Sequence, residues 1–243
     1  MSLAAEIKTL VHLTLSPVRG DTHAERLESF YGRQAEGYDA FRDHLLQGRR
    51  ELMDAAPTPA GGVWAEMGGG TGRNLEFLGD RLHKLGKVFI VDLSPSLLDR
   101  ARRRSAEKGW SNVETIVADA TTFRPPVRPL DVVAFSYSLT MIPDWFAAVE
   151  QAYENLRPGG TIAVVDFYVG RKRPHPGRAR HSWFTRTFWP TWFAFDDVHL
   201  GPDPIEYLHR RFQTTAFSEH RASIRYLPGM KVPYYRFLGR KPV

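Results

Sequence analysis

The chain predicts an α/β fold: a doubly wound, mostly parallel sheet closed by an antiparallel C-terminal hairpin. Three observations carry this. Short apolar runs alternate with amphipathic runs of helical period from residue 63 to residue 168, which is how β–α–β units read. A glycine cluster, Gly68-Gly69-Gly70-Thr71-Gly72, directly follows the first apolar run and opens the next helical one. Two β-rich stretches, 216–227 and 231–240, are parted by Leu227-Pro228-Gly229-Met230, as in a hairpin.

The elements follow in order. Leu3, Ile7, Leu10 and Val11 recur at helical spacing and predict a short amphipathic helix. Residues 25–54 read as polar and helical, ending at the Pro57–Gly62 breakers. Val63–Met67 is a strand. Asn74–Leu85 is a helix with Leu75, Leu78, Leu82 and Leu85 on one face. Lys87–Val91 is a strand, Pro95–Lys108 a helix with a basic outer face, and Val113–Val117 and Asp131–Tyr137 are strands. Trp145–Leu156 is a helix stopped by Arg157-Pro158-Gly159-Gly160, and Thr161–Tyr168 is the fifth strand. Between it and the hairpin, 169–204 reads as irregular, with Pro190 interrupting any single helix. The expected organisation is a helical lid or anchor at 1–56, a nucleotide-binding core at 57–168, a basic aromatic substrate or membrane segment at 169–204, and a final helix with the closing hairpin at 205–243.

Composition narrows the chemistry. The 243 residues include no cysteine, which excludes disulfides, thiolate metal sites and a cysteine nucleophile. The N-terminal stretch lacks a basic region followed by a long apolar run, so no signal peptide is expected. No apolar stretch approaches the ~20 residues of a spanning helix. The expected location is therefore cytoplasmic, with any membrane contact peripheral, on the inner face. A net charge of +6 and a pI near 9.6 point to acidic partners, either an anionic membrane surface or nucleic acid.

The strongest motif is Glu66-Met67-Gly68-Gly69-Gly70-Thr71-Gly72-Arg73-Asn74. Glycines at 68, 70 and 72 allow a tight turn and close approach to a ligand. The pattern is G-x-G-x-G, with Arg73 where a dinucleotide fingerprint has its third glycine. That suits a ligand with an adenosine and no pyrophosphate. Asp92 ends the second strand, where an acid hydrogen-bonds ribose hydroxyls. Asp119, in Val117-Ala118-Asp119-Ala120, ends the third, where it can meet the adenine amino group. All three features fall at the carboxyl ends of strands, the ligand edge of such sheets.

Over residues 30–168 these features resemble the class I methyltransferases, which have a Rossmann-like fold. The resemblance implies S-adenosylmethionine as cofactor. It implies a site lined by Glu66, Gly68, Gly70, Asn74, Asp92, Leu93, Asp119, Ala120 and the Phe135–Leu139 strand end, Ser136 included. An upstream Tyr31-Gly-Arg-Gln-Ala-Glu-Gly-Tyr38-Asp39 resembles a family pattern whose tyrosines lie near the methionine part of the cofactor, which adds Tyr38 to the cofactor set.

The acceptor is read from the rest. The fourth strand ends Phe135-Ser136-Tyr137-Ser138-Leu139, not in the Asn/Asp-Pro-Pro-aromatic clamp of enzymes that methylate a flipped base, so no specific nucleic acid partner is expected. Residues 171–181 hold five Lys/Arg, two His and no acid. Seven aromatics follow between Trp183 and Phe195, with Phe184, Phe188, Trp192 and Phe195 at i, i+4, i+8 and i+11. A basic, aromatic element suits a lipid headgroup surface. Its other reading is a hydrophobic cap over the sheet.

The tail carries a second resemblance. Phe188-Trp189-Pro190-Thr191-Trp192-Phe193, Asp196-Asp197-Val198-His199-Leu200, Tyr226-Leu227-Pro228-Gly229 and Val232-Pro233-Tyr234-Tyr235-Arg236-Phe237-Leu238-Gly239-Arg240-Lys241, with Asp166-Phe167-Tyr168, are similar to the BtaB-type methyltransferases of bacterial betaine-lipid synthesis. This resemblance implies N-trimethylation of diacylglycerylhomoserine to diacylglyceryltrimethylhomoserine, after a partner enzyme that makes the homoserine lipid. Other amine or oxygen acceptors, such as phosphatidylethanolamine, and a non-catalytic cofactor-binding role stand as alternatives. Tyr31, Tyr137, Asp166 and Tyr168 are the expected catalytic residues, holding the amine or relaying its proton. No metal is expected: Asp196, Asp197 and His199 read as caps and surface pairs.

Overall fold

A computed structural model describes Thr22, Glu25, Glu28 and residues 45–243 apart from 196, 225–226 and 228. The expected N-terminal amphipathic helix, Tyr31 and Tyr38 lie outside the described residues. Thr22 and Glu25 exchange backbone-to-side-chain hydrogen bonds of 3.2 Å each way, a capping box, and Glu25 and Glu28 are helical.

The sheet has seven strands in the order β3-β2-β1-β4-β5-β7-β6. β1 is Val63–Met67, β2 Lys87–Asp92, β3 Val113–Val117, β4 Leu130–Ser136, β5 Leu156–Phe167, β6 Gln213–Ser223 and β7 Lys231–Arg240. β1 pairs in parallel with both β2 and β4, so the chain reverses its winding direction there. A crevice outside the carboxyl ends of strands at such a reversal is where ligands bind. β7 pairs antiparallel with β5 and with β6, as the sequence predicts for the closing hairpin.

Helices cover both faces. On one lie α1 (Arg49–Ala55), a 3-10 helix over Arg73–Lys84, α2 (Pro95–Glu107) and α4 (Trp183–Ala194). On the other lie α3 (Trp145–Asn155) and α5 (Asp203–Arg211). Parallel strands buried on both faces read as continuous apolar runs. In β1, Trp64, Ala65 and Met67 are accordingly all fully buried, and so is Glu66. Side chains accept the first free N–H groups of the longer helices: Ser94 at α2, Asp144 at α3 and Ser182 at α4.

Three sequence expectations need correction. The helical run 25–54 is not continuous: Gly48 has φ 83 and breaks it before α1. A Cβ there would stand 2.5 Å from the Tyr234 ring, so the site needs glycine on two counts. The helix expected over 74–85 is a 3-10 helix kinked at Gly79. Most importantly, 169–204 is not irregular throughout, because α4 runs through Pro190. An interior proline costs about 3 kcal/mol. Burying Trp189 and Phe193 offsets it, since rings of ~150–250 Å² at ~25 cal/mol per Å² return about 4–6 kcal/mol each. Trp189 also donates from Nε1 to the Lys231 carbonyl at 3.0 Å, and Thr191 Oγ1 donates to the Thr187 carbonyl at 2.8 Å.

Candidate active site

The carboxyl ends of β1, β2, β4 and β5 form one edge, and the loop after β1 sets its floor. Gly68, Gly70 and Gly72 have φ of 66, 55 and 68, a left-handed backbone that glycine adopts without strain. A Cβ on Gly68 would lie 2.6 Å from Ser138 Cβ. The β1 and β4 loops therefore touch backbone to side chain, and Ser138 Oγ donates to the Met67 carbonyl at 2.8 Å.

Asp92 organises this loop. Its Oδ2 accepts from Gly70 N at 2.8 Å and its Oδ1 from Ser94 N at 2.9 Å. Its backbone carbonyl accepts from Ala118 N at 3.1 Å, which ties in the end of β3. One residue thus registers three loops at the crevice, two through its carboxylate and one through its backbone carbonyl. Leu93 follows it, half-buried. Asp119 is exposed and accepts from Thr121 N and Oγ1 at 2.8 Å each, an Asx turn. Ala120 is buried beneath it.

Glu66 lies under the glycine loop, wholly buried. Its Oε1 accepts from Asn74 Nδ2 at 2.5 Å, and Asn74 Oδ1 accepts from Arg49 Nη1 at 3.2 Å. Arg49 Nε donates to the Leu46 carbonyl at 2.9 Å. A buried carboxylate needs such a partner chain. Asn74, read from sequence as a cofactor ligand, spends both ends of its amide in positioning Glu66. Ser136 closes β4 buried, its hydroxyl without a hydrogen-bond partner among the described residues.

These features fit an adenosine ligand that carries a ribose diol and an amino-acid end. Glycines admit close approach, Asp92 is a carboxylate acceptor at the end of β2, and Ser136 closes β4 on the other side of β1. Three rim residues at the end of β5 divide between its two faces. Phe167 belongs with Tyr137 and α4, their rings 4.5 Å apart, and with Phe193 at 4.9 Å. Asp166 and Tyr168 face the other layer.

Of the four expected catalytic residues three are described, and each of these is hydrogen-bonded within the protein. Tyr31 lies outside the described residues. Tyr137 has φ 55, and its phenol donates to the Gln47 carbonyl at 2.5 Å. Burial pushes its pKa well above the ordinary range. Asp166 accepts from Thr140 Oγ1 at 2.7 Å, Thr140 N at 3.1 Å and Phe167 N at 2.8 Å. Burial raises its pKa to about 6, against the lowering pull of these bonds. Tyr168 donates to Glu219 Oε1 at 2.7 Å, and Glu219 Oε2 accepts from Ala179 N at 2.9 Å. Burial and that carboxylate raise the Tyr168 pKa. The cavity beside Tyr168 measures about 20 Å³, room for about one water, and through Glu219 Tyr168 braces the 169–181 segment.

Sequence reasoning missed Arg49, Thr140 and Glu219, and it included Ser138 only within the Phe135–Leu139 strand end. Each acts through a partner far away in the chain, and no local spacing announces that. Thr140 also accepts from His199 N at its carbonyl, 2.7 Å away, which joins the rim to the loop after α4. His199 Nε2 and Asp197 Oδ1 pair at the surface, 3.2 Å apart, while Asp196 lies outside the described residues. Among the described residues no three His, Asp or Glu side chains gather as a metal site.

Residues 65–160 match a protein family described as methyltransferase domain. The chain is 24% identical over 169 residues to the ubiquinone/menaquinone biosynthesis C-methyltransferase UbiE of Hydrogenovibrio crunogenus, covering 67% of this chain and 66% of that one. It is 32% identical over 114 residues to the aklanonic acid methyltransferase DauC of a Streptomyces strain, covering 47% and 52%. The matched region thus spans between about half and two thirds of these curated relatives. Among solved structures, an N-methyltransferase of Haemonchus contortus, in complex with phosphomonomethylethanolamine and S-adenosylhomocysteine, superposes with a TM-score of 0.64 at 15% identity, covering 89% of this chain and 60% of that one.

Proposed function

We propose, from the premise that residues 65–160 are an S-adenosylmethionine-dependent methyltransferase domain of class I fold, that the whole chain N-methylates a membrane-lipid amine, with diacylglycerylhomoserine as the acceptor. The observation that carries the lipid half is α4. It packs Phe193 onto Phe167 at the end of β5, beside the cofactor edge, and turns a second set of aromatics outward. The tail residues similar to the betaine-lipid enzymes fall in α4, in the loop after it and in β7.

S-adenosylmethionine, when bound, supplies an electrophilic methyl for displacement by a neutral amine. The protein contributes position and electrostatics. Asp92 holds the ribose hydroxyls, and Asp119 meets the adenine edge. Gly68 and Gly70 let the backbone close on the ligand. Glu66, fixed by Asn74 and Arg49, and Ser136 line the floor, with Leu93 and Ala120 flanking the adenosine. Tyr31 and Tyr38 take the methionine end. On the acceptor side, Asp166 is a positioning residue: it fixes Thr140, and through it the rim between β4 and β5. Tyr137 and Phe167, buried together against Phe193 of α4, brace the aromatic side of the rim.

The test is to incubate the purified protein with labelled S-adenosylmethionine and diacylglycerylhomoserine in vesicles, with phosphatidylethanolamine in parallel, and to resolve lipids by mass. One, two and three added methyl groups on the homoserine lipid are expected. Label on phosphatidylethanolamine alone would move the acceptor. No labelled lipid in either tube, with cofactor binding intact, would overturn the lipid reading.

A further inference from the structure

We propose that the outer face of α4, with the basic segment before it, is the surface by which this chain docks on an anionic phospholipid bilayer. The inference deepens the lipid-acceptor reading and rests on it for its purpose, but the surface itself stands on separate observations.

The first is exposure. Trp183, Phe184 and Phe195 are 73%, 54% and 76% exposed. Folded proteins expose single apolar side chains commonly, but rarely a run of rings on one element. The rings are also ordered on one another. Phe184 stacks on Phe188 at 5.1 Å and Phe188 on Trp192 at 5.6 Å. This ladder follows the i, i+4, i+8 stripe, while Trp189 and Phe193 on the neighbouring stripe fill the core. Among the described residues the helix therefore has a face in the core, a ring ladder partly buried along its edge, and rings at Trp183, Phe184 and Phe195 that stay largely exposed.

The second observation is charge. Residues 169–195 contain Arg171, Lys172, Arg173, Arg178, Arg180 and Arg186 and no acid. Some of these are engaged: Arg171 pairs with Asp203 at 2.9 Å, and Arg178 lies over the Phe217 ring at 4.1 Å. Among the described residues no carboxylate pairs with Lys172, Arg173 or Arg180, and all three are exposed. The segment is held in place rather than loose. Gly170 N donates to His181 Nδ1 at 2.8 Å, and Ala179 N to Glu219 at 2.9 Å. Cations fixed at the start of a helix that carries outward rings complement an anionic interface, where rings sit at headgroup depth and cations meet phosphates. An acidic protein partner would satisfy the cations but not the ring ladder. Because α4 packs on the end of β5, docking would bring the cofactor edge to the membrane.

The test is sedimentation of the full chain with phosphatidylcholine vesicles, with and without phosphatidylglycerol. No acceptor amine is present, so the result is independent of methyl transfer. Binding to anionic vesicles is expected, and it should weaken as salt shortens the screening length from ~10 Å at 0.1 M to ~3 Å at 1 M. The variant Trp183→Ser/Phe184→Ser/Phe195→Ser should bind at least about tenfold more weakly. Lys172→Glu/Arg173→Glu/Arg180→Glu should lose roughly fivefold per removed cation on anionic vesicles. All these positions are exposed, so melting temperature and S-adenosylhomocysteine affinity should hold, and both are measured as folding controls. Wild-type protein that ignores both vesicles, or a ring variant that binds as tightly as wild type, overturns the proposal. So does a wild-type dimer that the ring substitutions convert to monomer without any vesicle binding. Vesicle binding without lipid methylation would keep this surface and remove the acceptor reading.

Discussion

Replacing Gly68 by alanine is the sharpest probe of the cofactor loop, because Gly61 supplies an internal reference. Both glycines are left-handed, with φ of 66 and 71. A Cβ on Gly61 meets nothing within 4 Å, whereas one on Gly68 meets Ser138 Cβ at 2.6 Å. Gly61→Ala carries only the backbone term, about 1–2 kcal/mol, partly offset by ~0.4–1 kcal/mol of lost unfolded-state freedom. Its net cost should be about 1 kcal/mol. Gly68→Ala adds a contact well inside the ~3.5–4.0 Å optimum. Ser138 can retreat only by giving up its bond to the Met67 carbonyl, worth about 1 kcal/mol, and overpacking adds about 1–3 kcal/mol. The total is about 3–5 kcal/mol. For a chain of this size a kcal/mol moves Tm by roughly 2–4 °C. Thermal melts followed by circular dichroism should therefore drop about 2–4 °C for Gly61→Ala and about 6–20 °C for Gly68→Ala. Only the second should also weaken S-adenosylhomocysteine binding. Equal shifts, or unchanged affinity in Gly68→Ala, would refute the reasoning that this loop is set by contact with Ser138.

Other residues give independent tests. Tyr168→Phe should cost about 1–3 kcal/mol by leaving Glu219 short of a donor, while kcat stays within a few-fold; a large loss of kcat would return Tyr168 to the acceptor. Asp166 has a folded pKa of about 6 against an ordinary 3.8, so the folded state binds the proton more tightly and stability falls as pH rises from about 4 to about 6. At about 1.4 kcal/mol per unit the loss approaches about 3 kcal/mol, and urea unfolding of Asp166→Asn should lack that slope; a variant that keeps it would assign the titration elsewhere. Pro190→Ala restores a helical N–H inside α4, so Tm should rise with roughly 1–2 kcal/mol gained, and a fall would show that the proline is needed.

Much of the site was legible because its signals are local. Glycine φ angles, a strand-end acid and an Asx turn depend on a few adjacent residues, so Gly68–Gly72, Asp92 and Asp119 arrive where spacing puts them. The sidedness of Tyr137 and Tyr168 needed strand phase. Asp166 and Tyr168 share one parity of β5 and Phe167 the other, a constraint readable from sequence once the strand is fixed. The Arg49–Asn74–Glu66 chain and the Tyr168–Glu219 brace join distant segments, and residue type alone does not reveal them. Pro190 misleads for an energetic reason: local propensity opposes the helix, and burial of Trp189 and Phe193 overrides it.

The central claim is that the crevice at Asp92 binds S-adenosylmethionine. Titration calorimetry with S-adenosylhomocysteine tests it most directly, on wild type and on Asp92→Asn. The account predicts one site on the wild type. It predicts roughly 10–100-fold weaker binding in the variant, from losing about 1.5–3 kcal/mol of charge-assisted hydrogen bonding. No heat with the wild-type protein, or equal affinity in a folded Asp92→Asn, would contradict it.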